Sequence, residues 1–113
     1  MNHSHGSLEN KILNAVWKIE DSDNIDISVN AVQEFINQSP KSDRAYTTVK
    51  TVMDRLVEKN MLIRYKQGKK FLYKSVSSRD EMAEKAIKKL VKQYFNNDVD
   101  SLMKAIEKNY QKV

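Results

Sequence analysis

Cysteine is absent from this 113-residue chain, which excludes disulfides, thiolate metal sites and cysteine nucleophiles. Gly6 and Gly68 are its two glycines, too few for a phosphate-cradling loop built on several. No apolar run approaches the ~20 residues that a membrane-spanning helix requires. No charged-then-apolar leader opens the chain, so a cytoplasmic location is expected. Histidine is confined to His3 and His5, in a polar opening stretch that reads as a disordered tail. Neither has a positioned serine or carboxylate partner, so no catalytic residue is expected; the His3-x-His5 pair could bind a metal weakly, but a disordered segment is the expectation, with no metal site and no cofactor. Asp21, Asp23 and Asp26 have a calcium-loop flavour, but Ile25 and Val32 stand where oxygen ligands are needed, and the group reads as a solvated loop. Asn37-Gln38-Ser39 is a formal glycosylation sequon without meaning in a cytoplasmic chain. Repeats and low-complexity segments are also lacking.

What is present is a soluble, globular balance of 40% hydrophobic and 31% charged residues with a net charge of +5. That charge is unevenly spread. Residues 1–40 carry two basic and six acidic side chains, for −4. Residues 41–74 carry ten basic against Asp43, Asp54 and Glu58, for +7, and residues 75–113 add +2. A polyanion is the natural partner for the middle third.

The apolar spacing divides the chain into elements. Residues 1–7 form the tail; Ser7 is placed to cap a first helix bearing Leu8, Ile12, Leu13, Val16, Trp17 and Ile19 on one stripe. A short extended piece, Ile25-Asp26-Ile27, leads to Ser28 as N-cap of a second helix that turns Val29, Val32, Phe35 and Ile36 inward and stops before Ser39-Pro40. A third helix runs from about Ala45 to Lys59, burying Val49, Val52, Met53, Leu56 and Val57, with Asn60 as a left-handed terminator. The period then drops from about 3.6 to 2: Met61–Lys66, a turn over Gln67-Gly68-Lys69-Lys70, and Phe71–Val76 read as a hairpin with a basic tip. Ser78 with Glu81 makes a capping box for a long helix, Asn96-Asn97 breaks it, and Asp98 caps a last one.

Helix, short strand, helix, helix, hairpin, further helices: this is a mainly α, α+β architecture, a winged helix-turn-helix over residues 8–76 followed by a helical region over 77–113. In such a domain the third helix is offered to the DNA major groove and the hairpin is the wing. Both fall in the +7 segment. Thr47, Thr48 and Thr51 can meet phosphates, base edges or a thymine methyl. Lys50 reaches a guanine edge or a phosphate, and Lys69 and Lys70 pair with the backbone from the wing. Arg55 grips the backbone; the alternative is that the threonines are solvated helix surface and Arg55 bridges to a neighbouring carboxylate such as Glu58 or Asp54. Tyr46, Tyr65, Phe71 and Tyr73 read as hairpin and core packing.

The run Ala45-Tyr46-Thr47-Thr48-Val49-Lys50-Thr51-Val52-Met53-Asp54-Arg55-Leu56-Val57-Glu58-Lys59-Asn60-Met61-Leu62 resembles the recognition-helix signature of the penicillinase-repressor (BlaI/MecI/CopY) family. Leu8-Glu9, Ile12-Leu13 and Val16-Trp17 are similar to its first helix, and Ser28-Val29 to the start of its second. The resemblance covers most of residues 8–95 and weakens after Asn96. It implies a bacterial repressor that binds palindromic operators as a homodimer joined through C-terminal helices, with Thr47, Thr48, Lys50 and Thr51 toward the operator. The cysteines of the copper-responsive branch are missing. Ala105-Ile106 stands where the antibiotic-responsive branch is cleaved at an Asn-Phe bond, so the inducing signal is unassigned. Asn60 replaces a usual glycine.

A dimer is also expected on physical grounds. After the wing, Met82, Ala86, Ile87, Leu90, Tyr94, Leu102 and Ile106 lay apolar stripes on two helices, a surface that should not remain in water. It either folds back on its own domain or meets a second copy; the second copy is the expectation. An isologous pair would present two recognition helices and select an inverted repeat. The rival reading from a different class is a winged-helix interaction module docking an acidic protein.

Overall fold

The computed structural model describes residues 4–22 and 26–110, with side chains from Gly6 onward. His3 and the His5 side chain lie outside the described set, as does Asp23. The chain forms two compact units, Met1–Ser78 and Arg79–Val113.

In the first unit, α1 (Ser4–Asp21), α2 (Val29–Ile36) and α3 (Tyr46–Glu58) precede the antiparallel strands β1 (Leu62–Gln67) and β2 (Lys70–Ser75). The helix-turn-helix with its wing is therefore present as the periodicity predicts. Helix α1 starts three residues before Ser7, so Ser7 lies in its opening turn and does not cap it. Its inward stripe of Leu8, Ile12, Leu13, Ala15, Val16, Trp17 and Ile19 is buried. Opposite it are Val29 and Val32 of α2 and Val49, Val52, Met53 and Leu56 of α3, all buried. Each such side chain contributes about 1.5–3 kcal/mol by leaving water. Phe35 departs from expectation: it is 36% exposed.

Caps fix the helix ends. Ser28 accepts from the Ala31 amide at 3.1 Å, as an N-cap should. Asn37, the C-cap of α2, organises the turn into α3. Its Oδ1 accepts from the Arg44 amide (2.9 Å) and from Ser42 Oγ (3.0 Å), while its Nδ2 donates to the Arg44 carbonyl (3.0 Å). Gln33 Nε2 donates to the same carbonyl at 3.1 Å. Helix α3 ends in a Schellman arrangement: the Asn60 amide donates to Val57 O and the Met61 amide to Leu56 O. Asn60 has φ 62°, the left-handed conformation that asparagine tolerates better than other side chains.

The wing closes through the two-residue loop Gly68-Lys69, with Gln67 and Lys70 as the last paired residues. Gly68 has φ 66°, and a glycine there is what a tight hairpin of this length requires. Ile27 adds a short bridge to β2, accepting from the Tyr73 amide at 2.9 Å. The C-terminal half of α1 holds the end of β2. Glu20 accepts from the Ser75 amide and hydroxyl at 2.9 and 2.8 Å, and Trp17 Nε1 donates to Ser77 O at 3.0 Å.

The second unit consists of α4 (Arg79–Tyr94) and α5 (Val99–Asn109). Between them Asn96 and Asn97 both take positive φ, 53° and 63°. Two left-handed residues in succession end a helix as the sequence predicts. Asp98 caps α5, accepting from the Asp100 amide at 3.1 Å.

Candidate nucleic-acid interface

Four of the thirteen α3 residues face the core, and at 100° per residue the remainder divide into three sets. Thr47, Thr51, Asp54 and Glu58 lie opposite the core. Tyr46, Lys50 and Val57 lie on the flank nearer the wing. Thr48 and Arg55, with the C-cap Lys59 just beyond them, lie on the other flank, which approaches α1. All three threonines are exposed.

The wing-side flank opens on a groove of about 320 Å³ lined by Ser28, Val29, Asn30, Tyr46, Lys50, Lys69, Lys70, Phe71 and Tyr73. Lys50 from α3 and Lys69 and Lys70 from the wing thus share one concave surface with the N-terminus of α2, and among the described residues no acidic side chain lines it. The start of α3 is unusual too: Ala45 offers no side-chain cap, and its first turn holds no acid. Its leading amides and the positive end of its dipole are therefore open to an external anion.

Arg55 sits elsewhere. Its Nη1 is 4.0 Å from Glu9 Oε2, and Lys59 Nζ is 2.9 Å from the same oxygen. This flank ties α3 to α1, and the carboxylate that Arg55 reaches is that of Glu9. Asp54, expected as an alternative partner of Arg55, is engaged by other residues. Its carboxylate accepts from Lys50 Nζ (2.7 Å), Arg64 Nη1 (3.1 Å) and Tyr73 Oη (2.8 Å). Arg64 and Tyr73 are directly opposite each other in the hairpin, so both strands of the wing meet α3 at one side chain. A clue was available in the two-residue periodicity, which puts Arg64 and Tyr73 on single faces of their strands, but it needed the cross-strand register to become a contact.

The aromatic expectations divide. Tyr73 is buried, 1% exposed, as core packing requires. Tyr46 and Phe71 are not core: they are 41% and 49% exposed and line the basic groove. Arg64 and Lys66 stand over the Phe71 ring at 5.1 and 5.6 Å, and Lys74 over Tyr65 at 5.8 Å. Such contacts hold cationic side chains upright along the wing.

Burial pushes the Asp54 carboxyl up, but hydrogen bonds from Lys50 and Tyr73 and the charges of Lys50 and Arg64 outweigh it, leaving it below the ordinary 3.8. Burial, then the hydrogen bond to Asp54 and its negative charge, push the Tyr73 hydroxyl from 10.0 to about 12. A raised pKa gives stability that is complete below pH 10 and lost as pH climbs through about 12; the lowered Asp54 value gives stability lost on acidification below its ordinary range. Urea titrations followed by Trp17 fluorescence should therefore show the wild type losing stability between pH 10 and 12 relative to Tyr73→Phe, which has no hydroxyl to ionise.

On the second unit, Ile87, Leu90 and Tyr94 of α4 are 51%, 39% and 70% exposed, and Ile106 of α5 is 42%. Ala86 is exposed and Met82 half-buried. Leu102, grouped with these from sequence, is instead buried in the single chain, as is Val91. Among the described residues no group of three or more His, Asp or Glu could hold a metal ion, and no helix is long and apolar enough to cross a membrane.

A three-helix domain with a basic wing, carrying threonines and lysines on its third helix, is the architecture of winged-helix transcriptional regulators. Residues 5–112 match the family described as penicillinase repressor, and the chain belongs to that family. It is similar to the transcriptional regulator BlaI of Mycobacterium tuberculosis, from strains CDC 1551 / Oshkosh and ATCC 25618 / H37Rv. Each is 32% identical over 77 residues, 68% of this chain and 51% of the relative. The chain thus spans about half the length of the curated relatives it matches. Both relatives are described as transcriptional regulators.

Proposed function

We propose that this chain represses transcription by binding an inverted-repeat operator as a homodimer, in the bacterial cytoplasm where the chromosome lies. Residues 8–76 form the DNA-binding domain and residues 77–113 the dimerisation region. Thr47, Thr48, Lys50 and Thr51 meet the major groove; Lys69 and Lys70 hold the backbone from the wing. Arg55, engaged with Glu9, contributes from the flank where it steadies α3. Met82, Ala86, Ile87, Leu90, Tyr94 and Ile106 meet their copies in the partner, and Leu102 supports them from beneath.

The observation that carries this reading is the shared groove of Lys50, Lys69 and Lys70, beside three exposed threonines and the uncapped start of α3. Two separate elements, α3 and the wing, present cations to one surface, as a backbone-tracking interface demands. Family membership supports the repressor role.

Anisotropy titrations of labelled duplexes at several salt concentrations test it. An inverted repeat recovered from a randomised pool should bind far tighter than its scrambled counterpart. Lys50→Ala should weaken binding about tenfold and reduce the slope of log affinity against log salt by about one. Equal affinity for palindromic and scrambled duplexes would instead favour the rival module that docks an acidic protein.

A further inference from the structure

The carboxylate of Asp54 lies on the outward side of α3, one turn beyond Lys50 and in line with Thr47 and Thr51. A negative charge in the middle of a surface offered to a polyanion opposes binding, so its presence calls for a reason. Two of its three hydrogen-bond donors, Lys50 and Arg64, are cations that a phosphate would otherwise attract. The third, Tyr73, comes from the opposite strand of the wing and is buried. Lys50 and Arg64 are 45% and 40% exposed in these pairs. Exposed ion pairs of this kind are weak in net terms, so a phosphate or a guanine edge can take either cation over.

We propose that Asp54 is a specificity-determining residue of the DNA interface, occupying Lys50 and Arg64 when no nucleic acid is bound and holding the wing at one orientation to α3. This rests on the DNA-binding reading of the same face and deepens it. Binding to arbitrary sequence is almost wholly electrostatic and so feels the opposing charge in full. Binding to a cognate site adds base-edge contacts that require helix and wing in one fixed geometry. The tie from Asp54 to Arg64 and Tyr73 supplies that geometry. One carboxylate therefore lowers affinity for arbitrary DNA while preserving affinity for the cognate site, a means of discrimination by penalising the wrong partner.

The test compares the intact wild-type chain with Asp54→Asn, which keeps an acceptor for Tyr73 and Arg64 but removes the charge. Two probes are used: a random-sequence duplex, and the tightest duplex that the wild type recovers from a randomised pool. Asp54→Asn should bind the random duplex about three- to tenfold tighter, with a salt slope steeper by about one. The recovered duplex should gain less, so the ratio between the two falls. Asp54→Glu retains the charge and should keep the wild-type slope. Tyr73→Phe should lower affinity for the recovered duplex at unchanged slope on the random one. Unchanged affinity and slope for Asp54→Asn, or an equal gain on both duplexes, overturns the proposal while leaving DNA binding intact. A wild type that binds neither duplex overturns the DNA-binding reading and this inference with it.

Discussion

Leu90→Asp should convert the protein from a dimer to a monomer in sedimentation and reduce its affinity for an inverted repeat by at least about a hundredfold, the scale on which linked sites gain over single ones. Met82, Ala86, Ile87, Leu90 and Tyr94 recur at offsets of three and four, and so form one stripe along α4. Leu90 is central to it and only 39% exposed, whereas Tyr94 at its end is 70% exposed. In an isologous interface every substitution acts twice, because each copy presents the same patch to the other. A carboxylate at the centre would be desolvated against apolar neighbours and would also confront its twin. The isolated chain should tolerate the change, since the site is solvent-accessible within it. Sedimentation of the wild type as a monomer would refute the dimer directly.

Thr47→Glu should have opposite effects on two measurements. Helix α3 begins without a side-chain cap and with no acidic residue in its first turn. A glutamate there satisfies the positive end of the dipole and should raise stability by about 0.3–1 kcal/mol. The same charge stands on the outer face of α3 proposed to enter the DNA major groove, and duplex binding should fall at least about a hundredfold, allowing for both the lost hydroxyl contact and the repulsion. Circular dichroism melts and anisotropy on one preparation give both numbers. A variant that melts higher and still binds DNA normally would place the interface elsewhere.

The helices, their order and the wing were legible in the chain itself. Offsets of three and four in 8–19, 45–59 and 82–95, and alternation in 61–76, are local consequences of helix and strand geometry. Ser28, Asn60, Asn96-Asn97 and Asp98 end or start elements through their own backbone and side-chain chemistry, so they too could be read in isolation. The basic middle third pointed to the groove-facing elements for the same reason: charge is a property of composition, and Lys50, Lys69 and Lys70 fall within one short stretch.

Pairing between distant elements was not legible. Lys50 and Asp54 stand at i and i+4 on one helix, a spacing that permits their ion pair, but Arg64 and Tyr73 join Asp54 only after β1 and β2 take their register. Arg55 turning to Glu9 depends on α1 lying against one flank of α3, a contact across 46 positions of chain. Phe71 and Tyr46 were read as hairpin and core packing; Phe71 does pack under its hairpin neighbours Arg64 and Lys66, but both rings stand exposed at the groove and outside the core.

Periodicity, capping chemistry and charge distribution, all encoded between near neighbours, were enough to specify a winged helix with a cationic third helix and hairpin. Which cations remain available and which are held by carboxylates was decided by tertiary packing. Electrostatic pairing falls off steeply with distance, and residues far apart in sequence acquire a distance only when the chain has folded.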